Sequence, residues 1–357
     1  MVTETAGVNV TTRLSSKPRP VLLVGSVPLG SATEVFETVG RELGTLVRRI
    51  PDGETGERAS WISWQRHVLR TADGLEIGGE RKGPDGTIYP RYKVRAGGSP
   101  DQVNFGRLGY ADMAISSYAE FARLHALGKV PAGTRFQVSL PTPFAVVFAH
   151  IVPAEHRILW PIYERALLAE IDSMMQSIPP QDLSIQWDIA VEIDGVLEIP
   201  SMAKEYGIGE LVDGIARVSN HVPIDAELGL HFCYGDPGHK HVIEPKDAGL
   251  MVELANRLGH VIRRPVTWVH MPVPRDRDDN AYFAPLGNLT LGSNAEFYLG
   301  LVHLTDGIEG ARRRLSAATK VVANFGVATE CGFGRRPRET IPALLALHRQ
   351  IAELNLI

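Results

Sequence analysis

Two short apolar stretches of the sequence carry three side chains that are suited to binding a soft metal ion. His231 and Cys233 lie two residues apart in the apolar stretch 228–235, and Cys331 ends another such stretch just before a glycine-rich turn. Alternate residues of a strand share one face about 7 Å apart, so His231 and Cys233 can converge on one ion. Thiolate sulfur and imidazole nitrogen are ligands that zinc prefers. The pattern predicts a Zn²⁺ site formed by His231, Cys233 and Cys331.

The alternative for the two cysteines is that both are small buried hydrophobes without a chemical role. The histidine two residues before Cys233, and the position of the chain's other cysteine at a second strand end, favour the metal site. Two cysteines in 357 residues exclude a disulfide framework. Their scarcity is typical of a reducing compartment, so we expect a cytoplasmic protein.

Further polar residues fall at the predicted ends of strands. Asp188 and Glu192 lie on the polar face of an alternating stretch, where a buried carboxylate is costly unless paired. We expect them to act as acid or base, or to bind a substrate amine. Residues after other strands or in glycine-rich turns are expected to bind substrate: Ser26, Asp52, Glu54, His303, Arg335 and Arg336. Turn formation explains the acidic members equally well, and a solvated helix N-terminus explains the arginines.

These residues need a fold that gathers strand ends. Eight apolar stretches with strand character alternate with helical stretches, which predicts an α/β protein with a closed (β/α)₈ TIM barrel. We expect residues 21–357 to form a single barrel domain. Within it, residues 73–108 are expected to form a hairpin or loop insertion after the second strand. Residues 1–20 are expected to form a disordered N-terminal arm. An open doubly wound sheet is the alternative, but no Gly-x-Gly-x-x-Gly follows the first strand.

Composition narrows the classes of partner. The chain has 37 Lys and Arg against 41 Asp and Glu, a net charge of −4, which gives no electrostatic basis for binding nucleic acid or an anionic membrane. No apolar run reaches the length of about 20 residues that spans a bilayer. The polar first 20 residues lack the apolar segment of a secretory signal. We therefore expect a soluble protein with small-molecule partners.

The motif around the first cysteine resembles a known family. His231-Phe-Cys-Tyr-Gly-Asp236 is similar to the His-x-Cys-Tyr motif in the catalytic domain of cobalamin-independent methionine synthase, and Cys331-Gly332 to that family's final Cys-Gly. The chain also looks like the related epoxyalkane:coenzyme M transferases, and the resemblance covers most residues from Val21 onward. It implies a zinc ion held by His, Cys, an acidic residue on the following strand and Cys, which activates a thiol for alkylation.

The fourth ligand departs from that pattern. The following strand offers His270 where the family has a glutamate, and Glu244 and Glu192 are other candidates. Two thiolates, an imidazole and a carboxylate would give a zinc site of charge −1, whereas a second imidazole would leave it neutral. A neutral site should acidify a bound thiol more strongly but leave its thiolate less nucleophilic. A satisfied core histidine is the equal alternative for His270.

The resemblance implies zinc-dependent transfer of a methyl or larger alkyl group to or from a thiol, with a small-molecule thiol and an alkyl donor as partners. The chain is too short for the duplicated N-terminal barrel of full methionine synthases, so it resembles the single-barrel branch. Two alternatives stay open: a zinc hydrolase that uses metal-bound water, and a non-catalytic zinc-binding protein with a closed four-ligand site. The sequence also leaves open a homodimer, the identity of both substrates and the use of folate.

Overall fold

The fold is known from a computed structural model, which describes residues 17–83, 86–235, 240–241 and 243–354. Most of the predicted N-terminal arm and Asp236 of the cysteine motif therefore lie outside the described residues. The strands are β1 Arg49–Pro51, β2 Leu75–Lys82, β3 Ile88–Val94, β4 Arg135–Pro141, β5 Leu183–Ile189, β6 Glu227–Phe232, β7 Trp268–Pro272, β8 Glu296–Gly300 and β9 Gly326–Val327. The helices are α1 Ala32–Leu43, α2 Gln65–Thr71, α3 Tyr110–Ala126, α4 Pro143–His150, α5 His156–Ser177, α6 Pro200–His221, α7 Gly249–Val261, α8 Asn280–Phe283, α9 Gly307–Ala318 and α10 Ile341–Ala352.

One parallel sheet carries the fold. Its seven strands follow the order β1-β4-β5-β6-β7-β8-β9, and every neighbouring pair is parallel. Parallel bridges also join Val21 to Val47, beside β1, and to Val327 in β9, so both edges of the sheet meet at Val21. The predicted α/β class with a barrel-like parallel sheet is confirmed. The stretch that begins at Val21 forms no regular strand of its own and pairs through isolated bridges.

A second, two-stranded sheet lies within the range predicted as an insertion. Strands β2 and β3 pair antiparallel, with Arg81 opposite Tyr89. The hairpin is bound to the main body where the amide of Val152, after α4, donates to the carbonyl of Tyr92 at 2.9 Å. The hairpin therefore lies beside the segment that follows α4.

The ends of β4 and β5 determine where the following elements begin. Strand β4 ends at Pro141, and Thr142 then caps helix α4 by accepting from the amide of Ala145 at 3.1 Å. Proline is favourable in the first turn of a helix, because the amide it lacks would have no partner there. Strand β5 ends at Ile189, and Glu192 begins a π-helical turn, Glu192–Leu197, instead of lying on the strand's inward face.

Buried charges tie the N-terminal ends of the strands together. Arg49, the first residue of β1, is 2% exposed and binds Glu227 of β6 at 2.5 Å and Glu296 of β8 at 2.8 Å. Its guanidinium lies 4.2 Å from the ring centroid of Trp268, which starts β7. The indole occupies the space beside Gly229, where a Cβ would lie 1.8 Å from it.

Among the residues that the structure describes, no helix combines the length and the apolar composition that a membrane-spanning helix requires.

Candidate metal centre

The three predicted zinc ligands come together at the opposite, C-terminal end of the sheet. His231 is the next-to-last residue of β6, Cys233 follows the strand, and Cys331 follows β9. One donor atom from each lies within 4.8 Å of the other two, and this is the one group of such geometry among the described residues. Tetrahedral zinc with Zn–S bonds of about 2.3 Å holds two sulfurs about 3.8 Å apart. Side-chain movements of about 1 Å close the group around an ion, so these residues fit zinc.

His270, the predicted fourth ligand, lies behind His231 and outside the group. Its Nδ1 is 2.7 Å from Nδ1 of His231, and its Nε2 is 3.0 Å from the carbonyl oxygen of Thr329. Burial lowers the pKa of His270 to about 3. Burial, and then the proximity of His270, lower the pKa of His231 well below its usual value. Both imidazoles are therefore neutral near pH 7.

Glu244, the alternative fourth ligand, also lies outside the group. Its side chain is 78% exposed, and its carboxylate is 3.0 Å from Nδ1 of His241. The other ring nitrogen of His241 is 3.0 Å from the carboxylate of Glu330, next to Cys331 in the sequence. His241 thus links the loop after Cys233 to the segment that carries Cys331.

The turn that carries Cys331 is packed against Ser26. The amide of Phe333 donates to the Ser26 carbonyl at 2.7 Å, and the amide of Gly334 donates to Ser26 Oγ at 3.1 Å. A Cβ on Gly332 would lie 2.3 Å from that oxygen, so a larger residue would push the turn away. The glycines after Cys331 are explained by this close approach.

A cavity of about 720 Å³ opens beside the three donors. Polar residues predicted from the sequence line it near the metal group: Ser26, Glu54, Asp188 and Arg335. The apolar and aromatic residues of the lining include Trp61, Ile62, Tyr89, Phe148, Ile199 and Met202. Its volume is that of a typical small-molecule site.

Two carboxyls in the cavity hold their protons unusually well. Asp188 is 7% exposed, pairs with His231 in the strand register, and accepts from Nε2 of Gln186 at 2.9 Å. Burial raises the pKa of Asp188 to about 8, against the hydrogen bond of Gln186, and the charge of Cys331 adds to the rise. Burial and then the charge of Asp188 raise the pKa of Glu54 as well. Such shifts are typical of functional sites.

Two residues of the cavity lining have a strained backbone conformation. Among the described residues, Glu54 and Trp61 are the two that are not glycine and yet have a positive φ, of 50° and 52°. Each such residue costs on the order of 1–3 kcal/mol and persists where surrounding contacts enforce it. Both line the cavity. Strained residues of this kind cluster at ligand-binding and active sites, which supports a functional role for the cavity.

Other predicted site residues lie outside the cavity lining. Asp52 is buried, forms an ion pair with Arg58 and accepts from the amide of Glu54 at 3.0 Å, so it shapes the turn that presents Glu54. His303 binds the carbonyl of Val273 through Nε2 at 2.9 Å. Also outside the lining are Glu192, hydrogen-bonded to the Thr142 hydroxyl, and Arg336.

Sequence reasoning missed Trp61, Arg81, Tyr89 and His150, which line the cavity. No motif marks them. For Arg81 and Tyr89 the available signal was the position of the hairpin range, because an insertion after a strand of a barrel lies over the C-terminal end, where sites are built. Trp61 and His150 lie outside that range and carried no such signal. Arg335 was predicted, and its guanidinium lies 4.0 Å from the sulfur of Cys331.

Comparison with known proteins identifies the fold. No protein-family model and no curated protein matches the sequence. A structure of a putative vitamin-B12-independent methionine synthase from Listeria monocytogenes matches with a TM-score of 0.60 and 14% identity, over 94% of this chain and 97% of that one. A B12-independent methionine synthase from Shewanella sp. W3-18-1, in complex with selenomethionine, matches with a TM-score of 0.61 over the same shares, also at 14% identity. The chain shares their fold.

Proposed function

We propose that the protein is a zinc-dependent enzyme that transfers a methyl or larger alkyl group to or from a thiol. The observation that carries the proposal is the convergence of His231, Cys233 and Cys331 beside a cavity large enough for substrates. The shared fold of the two methionine synthase structures supports it. A single closed eight-stranded barrel over residues 21–357, with the segment after Val21 as its first strand, is part of the proposal.

His231, Cys233 and Cys331 would hold the metal. Two thiolates, one neutral imidazole and Zn²⁺ give a site without net charge, and three protein ligands beside a cavity are typical of catalytic zinc. A free thiol with a pKa of about 8.5 is mostly protonated at neutral pH, and zinc, when bound, would keep a substrate thiol deprotonated. The three residues thus define the place where the reacting sulfur binds.

Asp188 and Glu54 would donate a proton to the leaving group and bind the substrate. Each carboxyl has a raised pKa and lines the cavity, so each is protonated at neutral pH and can act as an acid. As the sulfur–carbon bond forms, the bond from carbon to the donor's leaving atom breaks, and the leaving group takes a proton from one of these carboxyls. Deprotonated, the same pair would bind a substrate ammonium group, with Arg335 placed for a carboxylate.

Sulfur coordination tests the proposal. The zinc-loaded protein is titrated with 2-mercaptoethanol, and the zinc X-ray absorption spectrum is recorded with and without the thiol. We expect one additional sulfur ligand, and the same gain in Asp188→Asn, because Asp188 is not in the donor group. An unchanged sulfur count with an oxygen ligand would instead support the hydrolase. A closed shell of four protein ligands would support a zinc-binding protein without this chemistry.

A further inference from the structure

A chain of hydrogen bonds passes through His270 from one proposed ligand to the segment of another. His270 of β7 lies opposite His231 of β6 in the strand register, with their Nδ1 atoms 2.7 Å apart. On its other side, Nε2 of His270 is 3.0 Å from the carbonyl oxygen of Thr329. The hydroxyl of Thr329 donates to the carbonyl of Cys331 at 2.7 Å. Strand β7 thus connects the ligand of β6 with the turn that follows β9.

The carbonyl oxygen of Thr329 determines which ring nitrogens of His270 and His231 carry a hydrogen. A carbonyl oxygen only accepts, so Nε2 of His270 must carry a hydrogen. The ring of His270 is 0% exposed, and its hydrogen-bond partners are an imidazole and a carbonyl rather than a carboxylate, so it is buried in its neutral form. A neutral imidazole has one N–H, so Nδ1 of His270 is a bare acceptor. The short contact between the two Nδ1 atoms then requires His231 to donate from Nδ1. Nε2 of His231 is left with its lone pair.

We propose that His270 is a positioning residue that holds His231 in the Nδ1–H tautomer, with Nε2 presented to the metal. Both rings are almost fully buried, at 0% and 2% exposed, which leaves them no solvent with which to exchange partners. Metal-bound histidines commonly donate their second N–H to a carboxylate or carbonyl, which fixes the ring and its tautomer. Here a neutral imidazole does so without adding negative charge.

The tautomers can be read in the metal-free protein. Although the metal role of His270 rests on the proposed function, the proton positions do not. Long-range ¹H–¹⁵N correlation spectra of the chelator-treated protein should show His231 with a protonated Nδ1 and bare Nε2. His270 should show the reverse pattern. An Nε2–H signal for His231 would overturn the proposal, whether or not the protein binds zinc and whether or not any variant folds.

Zinc affinity measures the consequence. In competition with a chelator, His270→Leu should weaken binding by about 10–100-fold, the usual effect of losing such a partner. His270→Asn restores a carbonyl acceptor and an N–H donor, so it should recover most of that loss. The matched control is His156→Leu, another buried histidine with both ring nitrogens hydrogen-bonded, to Tyr206 and Ile151, and outside the cavity lining.

The outcomes separate the two proposals. Tight zinc binding by wild type and His270→Leu alike would overturn the role of His270 and leave the proposed function standing. No zinc binding by wild type would defeat the proposed function, while the tautomer spectra would still decide the inference. Equal weakening by His270→Leu and His156→Leu would show a general packing effect and overturn the specific role.

Discussion

The two ends of the parallel sheet treat buried charge in opposite ways. At the N-terminal end, the positive charge of Arg49 is paired with the carboxylates of Glu227 and Glu296. These three residues are the first residues of β1, β6 and β8. At the C-terminal end, burial raises the pKa of both Asp188 and Glu54, and the charge of Asp188 adds to the rise at Glu54. One end satisfies its charges within the protein, whereas the other keeps acids beside a cavity.

The difference indicates a division of labour. In barrels of this kind the N-terminal end serves stability and the C-terminal end carries the site. Burial alone would raise the pKa of Glu296, but hydrogen bonds and charge from Arg49 outweigh it and lower that pKa. The two ends should therefore respond to mutation and to pH with opposite signs.

The strongest response to mutation is expected at the paired end. Arg49→Met should lower the free energy of unfolding by about 3 kcal/mol, because it removes the charge-assisted hydrogen bonds from a buried guanidinium to the half-buried carboxylates of Glu227 and Glu296. Urea denaturation measures the change, and zinc content should stay at that of wild type. Arg41→Met is the control, since the Arg41–Glu42 pair is exposed and worth at most about 1 kcal/mol. Equal losses in the two variants would refute the importance of the buried network.

The next effect is a pH dependence of stability. The pKa of Asp188 is about 8 in the folded protein, against about 3.9 in an unfolded chain. Between about pH 4 and pH 8 the Asp188 carboxyl is therefore protonated more fully in the folded chain than in the unfolded one. Its contribution to the free energy of unfolding falls as the pH rises through this range. In zinc-free protein, Asp188→Asn should remove at least about 1.4 kcal/mol of that fall, the equivalent of one pKa unit.

The control for this pH dependence is Glu296, whose sign is reversed. Its folded pKa is lowered, so it stabilises the protein above its ordinary pKa, and this contribution is lost as pH falls. Glu296→Gln should therefore weaken the loss of stability in acid and leave the slope near pH 7 unchanged. The same slope change from both variants would contradict the division between the ends.

A smaller effect tests the packing beneath the site. Gly229→Ala places a methyl group against the indole of Trp268 and should cost about 1–3 kcal/mol of unfolding free energy. Gly209→Ala is the matched control, since a Cβ there meets nothing within 4 Å and should be neutral or stabilising. Thermal unfolding compares the two, and an equal response would mean that the indole does not need the space.

The sequence predicted the parts of this account that depend on alternation and composition. The convergence of His231, Cys233 and Cys331 follows from strand periodicity and from the fact that parallel strands end at one edge. Metal binding at these residues, and zinc as the metal, stay predictions. The placement of His270 behind His231 could not be predicted, because its spacing suits a ligand as well as a partner of one, and only its contacts with His231 and Thr329 distinguish the two.

Other failures have local causes. A proline pair concealed the start of α4, because proline both ends strands and begins helices. The cavity residues of the hairpin, Arg81 and Tyr89, follow from a cross-strand register that composition does not encode. Glu192 was placed by continuing an alternation beyond the point where β5 ends.

The zinc-to-protein ratio shows whether His231, Cys233 and Cys331 bind a metal ion together. Elemental analysis of purified wild type, Cys233→Ser and Cys331→Ser should give about one zinc per chain for wild type, because three donors fit one ion, and almost none for either variant. Full zinc content in either serine variant, or none in wild type supplied with zinc, would mean that these three residues do not form a zinc site.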